Sequence, residues 1–525
     1  MSVLVLDPGL APKDLLLSLG EVVSMGVREE SRELLTYRDT FDSRLLRAGL
    51  TLATSRTGRR ARVGLMTRKG RRVDSIVPRI PRFASDLPLS PPWEAVRSIA
   101  DHRRLLPQAE AEWRSTLVDI LNDEGETVVR LLLREGEALL FNGRERVSLQ
   151  PRLQSLPLKG HGAEEKKVTS FIRETFGLEW DRRTELAVVR DALGQTPGGY
   201  SSSFNLVLDP RITAADGARQ IHHALLQTML ANREGVARNW DSEFLHDFRV
   251  AVRRTRSALS QLKGLFPTAD VEHFSEEFQW LGVKTGPSRD IDVYLLNIPV
   301  YQAALHPEAR DDLKPLVRFL QDRKKVEHGR LRRCLRSKRF SRLMENWQAF
   351  LEVTDAPASE LPNARRPIRE VASERIWKAF KKVIKNGERI GRDSSAEALH
   401  RLRIDCKKLR YLITFFQSIY PKEALNPLIK ELKRLQDHLG DFNDLQMQGK
   451  ALRSFAEEMM ATDSGPPATL LAMGQLMGQL EGKQILEREA FYQHLKRFSG
   501  SGNRRRFKEF FGPGPGADPE TPERD

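Results

Sequence analysis

Two segments of the chain, LHDFRVAVRRTR at 245–256 and LHRLRIDCKKLR at 399–410, repeat one pattern 154 residues apart. Each holds a His, an Arg at +3, a basic pair at +7 and +8, and an Arg at +10. The same offset pairs Pro267 with Pro421, Leu281 with Leu435, Gly286 with Gly440 and Asp290 with Asp444. Chance similarity does not keep one register through helix and loop over such a span, so the segments are copies of a duplicated supersecondary unit. Whatever these helices build is therefore built twice and meets itself across a pseudo-two-fold axis.

On a helical wheel with His246 at the origin, Arg249, Arg253 and Arg256 fall at roughly 300°, 340° and 280°, and Arg254 at about 80°. Phe248, Val252, Leu259 and Leu262 form a core face beside this stripe. In the second copy His400, Arg403, Lys407 and Arg410 repeat the stripe, with Lys408 in the place of Arg254 and Leu402, Cys406, Leu409, Ile413 and Phe416 behind it. Like charges three and four residues apart cost a helix roughly 0.2–0.5 kcal/mol per pair. Either the protein's own acids, such as Asp290 and Asp444, return to neutralise the cations in a buried arginine network, or an external anion does. Each of these aspartates follows a glycine by four residues, which fits an N-cap or first-turn position, an ion pair to a basic-helix arginine, or more weakly a metal ligand. The two histidines fit either a phosphate contact or a hydrogen-bonded structural role.

Cations one helical turn apart stand about 5–6 Å from each other, close enough to grip neighbouring phosphates of one chain. Arginine forks onto phosphate oxygens and lysine supplies a point charge, so a linear polyphosphate suits the stripe. Single-strand nucleic-acid binders interleave aromatic platforms with their cations. Here Phe248, Phe415 and Phe416 fall on the core side, and helix-turn-helix, zinc-finger and RNP-type patterns are missing. Sequence-specific nucleic-acid binding is not expected.

The chain has 525 residues, 30% of them charged, with a formal net charge of +15. The excess is uneven. Residues 1–210 hold 32 basic and 29 acidic residues, and residues 211–500 hold 49 and 37. Positive potential belongs to the duplicated part, where it serves a polyanionic partner or a solvated, salt-bridged surface. Cys334 and Cys406 are the only cysteines, which suggests neither a disulfide framework nor a zinc site. No long apolar run and no export signal is evident, so a cytoplasmic protein without membrane contact is expected.

From Tyr37 to about Leu208, short apolar runs such as LTLATS, ARVGLMT, STLVDILN and TVVRLLL are separated by turn signals at Asp123–Gly125 and Asn142-Gly143. Helical patterns at 164–177 and 181–194 interrupt them, giving an α+β domain with an antiparallel sheet. Beyond Asp209-Pro210 long helical stretches run to about Phe498, with breaks expected at Pro267, Gly286-Pro287, Pro299, Pro307, the Pro-rich 354–367 segment, Pro421 and Gly440. Residues 501–525 have the Gly/Pro bias of a disordered tail. The expected domains are 1–210 and 213–500, the latter with repeats at about 213–350 and 366–500.

With both basic motifs, GPSRDID and GDFND in place, residues 213–500 resemble the CHAD family, the conserved histidine α-helical domain. The resemblance implies two pseudo-symmetric four-helix bundles around a basic cavity and non-catalytic binding of inorganic polyphosphate, with association with polyphosphate granules as a corollary. Carried over, the ligand contacts are His246, Arg249, Arg253, Arg254 and Arg256, and His400, Arg403, Lys407, Lys408 and Arg410. More faintly, YRDTFDSRLLRAGLTL at 37–52 and LMTRKG at 65–70 resemble a CYTH-type triphosphate tunnel domain. That family's ExExK metal-binding signature is absent from SVLVLDPGL, and LTLATSR stands where an Arg-rich phosphate-gripping strand is expected. A degenerate tunnel without catalytic residues, metal or cofactor is therefore expected. A metal-dependent triphosphatase or polyphosphatase in this half and a purely structural helical scaffold are the alternatives. In sum, the expected fold is multidomain α+β: an antiparallel tunnel or barrel-like domain, then an all-α domain of two four-helix bundles.

Overall fold

The computed structural model describes residues 3–7, 9–67, 72–139, 145–156, 158–195, 200–353, 361–391 and 393–513. The chain divides into two compact units, Met1–Ser202 and Ser203–Asp525. The Asn142-Gly143 turn and Lys69 of the LMTRKG strand lie outside the described residues.

The N-terminal unit is built on strands β1 (Val3–Val5), β2 (Met25–Asp39), β3 (Leu50–Thr57), β4 (Arg60–Thr67), β5 (Arg72–Val77), β6 (Leu106–Leu121), β7 (Thr127–Leu139), β8 (Arg146–Leu156) and β9 (Glu179–Asp181). They form one antiparallel sheet in the order β5-β4-β3-β2-β6-β7-β8-β1-β9. The sequence of β6 shows how the layers are arranged. Its buried residues are Ala109, Ala111 and Trp113 at one end and Thr116, Val118 and Ile120 at the other. Because side chains alternate along a strand, the buried face switches midway. Helices α1 (Pro12–Val22) and α4 (Gly162–Phe176) cover the Val118 and Ile120 end. Helix α5 (Glu185–Ala192) covers the opposite face, packing Leu186, Val188 and Val189 on Tyr37, Ala109, Ala111 and Trp113. Helices α2 (Arg44–Arg47) and α3 (Pro91–Ala100) close a third cluster against β3 and β4.

The C-terminal unit contains, among the described residues, five helices in each copy of the duplication. The first copy comprises α6 (Ala214–Arg238), α7 (Ser242–Gln261), α8 (Thr268–Ala304), α9 (Lys314–Leu335) and α10 (Lys338–Glu352). The second comprises α11 (Ile368–Glu388), α12 (Ala396–Phe416), α13 (Lys422–Ala461), α14 (Pro467–Phe498) and α15 (Ser501–Phe511). The first three helices of each copy start 154 residues apart; α6, α7 and α12 start at a capping side chain, and α8, α11 and α13 directly after a proline. Asp241 accepts from the backbone N–H of Glu243 and Phe244, and its counterpart Ser395 accepts from Ala398.

The pseudo-axis is marked by a pair of backbone hydrogen bonds. Ala214 N–H donates to Arg366 O at 2.8 Å, and Ile368 N–H donates to Ile212 O at 2.9 Å. These two bonds are exchanged by the same 154-residue offset. A second marker is the core shared by α8, α9, α13 and α14, where Ile298, Tyr301 and Leu305 are matched by Leu452, Phe455 and Met459.

Three expectations are corrected. α8 runs unbroken through Gly286-Pro287 and Pro299, and α13 runs through Gly440. Both prolines of α8 are exposed, so the backbone carbonyl each leaves without its N–H partner can turn to solvent and the helix survives. Asp290 and Asp444 consequently lie inside long helices, not at helix starts. Residues 501–511, expected in a disordered tail, form α15. Phe507 and Phe511 are buried, and the Phe507 ring stacks on Phe380 at 3.8 Å. The aromatic anchors outweigh the surrounding Gly and Arg bias, and α10 and α15 each follow the four helices of their repeat.

Candidate polyanion site between the repeats

α7 and α12 pack against each other, as α6 and α11 do. The core face read from the wheel is buried: Phe248, Val252, Leu259 and Leu262 in α7, and Leu402, Cys406, Leu409, Ile413 and Phe416 in α12. With those faces fixed in the bundle, the cationic stripes can only flank the line where the two copies meet.

Each stripe begins at a histidine held by the long helix that follows it. Arg289 Nη2 donates to His246 Nδ1 at 3.0 Å, which puts the ring proton of a neutral His246 on Nε2. His400 Nδ1 donates to Asn443 Oδ1 at 2.6 Å, the opposite tautomer. Arg289 and Asn443 are counterparts under the duplication, so one position serves one task with two chemistries.

Next comes the +3 arginine. Arg249 Nη1 donates to Gly282 O and to Thr285 Oγ1, both at 2.8 Å. Gly282 and Gly286 of α8 leave room for guanidinium groups. A Cβ at Gly282 would touch Arg256 Nη1 at 3.6 Å, and one at Gly286 would touch Arg249 Nη1 at 3.5 Å. Burial, reinforced by repulsion from Arg253, pushes Arg249 down to about 10. Its counterpart Arg403 instead donates to Asp444 Oδ1 at 2.9 Å. Buried Gln436 stands where Gly282 is in the first copy, and neither of its amide atoms has a partner among the described residues.

Beyond these arginines the stripes carry net positive charge. Among the described residues Arg253, Arg256, Lys407, Lys408 and Arg410 have neither an ion pair nor a side-chain hydrogen bond to another residue, and Arg254 lies over the Phe204 ring at 5.7 Å. The two copies feel each other. Lys407 is pushed down to about 8, first by burial and then by Arg403 and by Arg253 of the other copy. Arg254 is lowered by burial, and Arg410 of the other copy adds to the effect. Asp290 and Asp444 also converge, since both carboxylates act on Tyr294, which burial above all pushes up to about 12.

The ion-pair role expected for the two aspartates is met by Asp444 alone. Asp290 has no ion pair among the described residues, and burial raises its pKa against the pull of Arg249 and Arg289. No group of three or more His, Cys, Asp or Glu side chains with metal-holding geometry occurs among the described residues. Sequence reasoning missed Arg289, Asn443, Thr285, Phe204 and Gln436. Arg289 and Asn443 could have been found, since each directly precedes an aspartate already paired by the offset.

In the N-terminal unit two buried arginines of the sheet are internally matched. Arg134 pairs with Glu185 of α5, and its guanidinium lies 4.5 Å from the Trp113 ring. Tyr37 donates to Glu185 Oε2 at 3.0 Å and accepts from Trp113 Nε1 at 2.7 Å. Arg152 lies 3.5 Å from Asp181.

Residues 220–453 match the family model of the CHAD domain. Two uncharacterized proteins from two strains of Mycobacterium tuberculosis are each 28% identical to it over 267 residues, covering 48% of this chain and 49% of theirs. The chain thus spans about half the length of the curated relatives it matches. Among solved structures, the crystal structure of the CHAD domain from the plant Ricinus communis is 25% identical, covers 57% of this chain and 97% of its own, and has a TM-score of 0.46. PptA from Streptomyces chartreusis is 17% identical, covers 54% of this chain and 99% of its own, and has a TM-score of 0.42. Among the described residues no helix is long and apolar enough to cross a membrane.

Proposed function

We propose that the helical unit binds inorganic polyphosphate along the line where its two repeats meet and does not hydrolyse it. The observation that carries this reading is the set of cations from both copies that have no ion pair among the described residues, with Lys407 driven to about 8 by burial and by Arg403 and the opposite copy's Arg253, against the pull of Asp444. Internal neutralisation would tie these cations into ion pairs, and among the described residues one stripe cation, Arg403, has such a pair, with Asp444. The ligand contacts are His246, Arg249, Arg253, Arg254 and Arg256 with His400, Arg403, Lys407, Lys408 and Arg410. The core position of Phe248, Phe415 and Phe416 favours a ligand without bases. Calorimetry with polyphosphate on the full chain tests the assignment. Tight binding by the wild type and strong loss in Arg253→Ala combined with Lys407→Ala are expected, and equal affinity for the two proteins would remove the site.

We read the N-terminal unit as a degenerate CYTH-like tunnel. Helix α5 occupies the face that Tyr37 and Trp113 line, and Glu185 supplies the anion that Arg134 would otherwise seek. Phosphate release from tripolyphosphate with Mg²⁺ or Mn²⁺ separates this from the triphosphatase reading: turnover that vanishes on altering Arg59 or Lys69 would overturn it.

A further inference from the structure

The repeats differ most in charge on their fourth helices. α9 carries eight Lys and Arg residues and two acids within Lys314–Leu335, whereas α14 has no Lys or Arg from Pro467 to Gly482. Both helices do the same packing work in the shared core, through Leu316 and Leu320 in one copy and Ala472 and Leu476 in the other. The bundle's architecture therefore does not require the charges of α9.

These charges are ordered. Lys325, His328, Arg332 and the C-cap residue Arg336 recur at helical spacing along one flank of about 16 Å, the three cations exposed and His328 half-buried. With Gln321, Gly329 and the αL cap residue Asn239 of α6, most of this row lines a groove of about 450 Å³. His328 is fixed there by donating from Nε2 to Val236 O at 2.9 Å, and buried Asp292 anchors Lys324 at 2.7 Å. Lys325 has a surface pair with Asp322 at 2.8 Å, a contact worth little in water. Among the described residues Arg332 and Arg336 have no ion pair or side-chain hydrogen bond. The row reads cation, His, cation, cation at turn spacing; like the stripes of α7 and α12 it combines one His with three cations on one side of a helix, though with the His in second place. It cannot be an extension of them, because α6 and α8 stand between α7 and α9 in the bundle.

We infer that this outer flank of α9 is a second binding surface for a phosphate chain, so that one molecule holds two strands on different sides of its first repeat. No aromatic side chain lies in the row to stack a base, which favours a bare phosphate polymer over single-stranded nucleic acid. The identity of the polymer rests on the function proposed above; the existence of the second surface does not. A protein holding two strands cross-links them, which the central site alone could not do as a monomer.

The test is stoichiometry on the full chain with a short-chain polyphosphate, by native mass spectrometry and calorimetry. The wild type is expected to take two chains, and Arg332→Gln combined with Arg336→Gln to take one. Both side chains are exposed, so the fold should survive, and an unchanged thermal transition checks this. Arg253→Ala combined with Lys407→Ala is expected to lose the other chain. Two chains on that central variant and one on the outer variant would refute the central site and uphold the outer one. One chain on the wild type, or two on the outer variant, would overturn the inference. A single-stranded DNA of equal charge that displaces the outer chain more effectively than polyphosphate would overturn the ligand class.

Discussion

Replacing Lys407 with methionine should make the free protein more stable, at the expense of its ligand. The ammonium is half-buried, and burial first, then Arg403, the opposing Arg253 and Arg410, against the pull of Asp444, bring its pKa from 10.5 to about 8. Each tenfold change in acidity is worth about 1.4 kcal/mol, so the charged form is disfavoured by an upper limit of about 3 kcal/mol. Residual solvent contact and relaxation of the long side chain reduce this to about 1–2 kcal/mol. The sign depends on pH. Folded Lys407 binds its proton more weakly than unfolded Lys407, so the penalty is complete below about pH 8, shrinks as pH rises towards 10.5, and is gone above it. Thermal unfolding of wild type and Lys407→Met, followed by the far-ultraviolet circular dichroism of the helical unit, should show the variant ahead at pH 7 and level above pH 10.5. Methionine matches the length of the side chain, so little packing is lost. A variant no more stable than wild type at pH 7, or an advantage that persists undiminished at high pH, would mean that the protein's own acids already neutralise this lysine.

Asp444→Asn removes the carboxylate ion-paired to the +3 arginine of the second copy, and polyphosphate affinity by calorimetry should rise several-fold; a fall would show that Asp444 organises the site. Phe507→Ala deletes the ring stacked on Phe380 and should cost about 3–5 kcal/mol in the helical unit's unfolding. A cost near zero would mean that α15 is not docked. Glu185→Gln leaves Arg134 without its buried charge partner and should destabilise the N-terminal unit by about 3–5 kcal/mol, read as faster hydrogen exchange in β6 and β7. Unchanged exchange there would count against the plugged-tunnel reading.

The duplication was legible because a fixed offset survives in caps, glycines and aspartates as well as in the basic motif, and the helix faces followed from the spacing of Phe248, Val252 and Leu259. Helix ends were less legible. Pro287, Pro299 and Gly440 read as breaks, yet an exposed proline only frees a carbonyl that water can reach, so tertiary packing carries α8 and α13 through. α15 was hidden because three arginines and neighbouring glycines masked Phe507 and Phe511, whose partners Phe380 and Tyr420 are far away in sequence. In the N-terminal unit β2 escaped notice before Tyr37, since most of its first ten residues are exposed and alternate charge rather than hydrophobicity. The histidine partners were obscured for a different reason: Arg289 and Asn443 share a position and a role without sharing a chemical class.

The most direct test of the central claim is the salt dependence of polyphosphate binding. If Arg253 and Lys407 contact phosphates, the affinity of the wild type should fall linearly in a double-logarithmic plot against salt, and the slope for Arg253→Ala with Lys407→Ala should be shallower by about two. Parallel lines for the two proteins, or a wild-type affinity indifferent to salt, would contradict it.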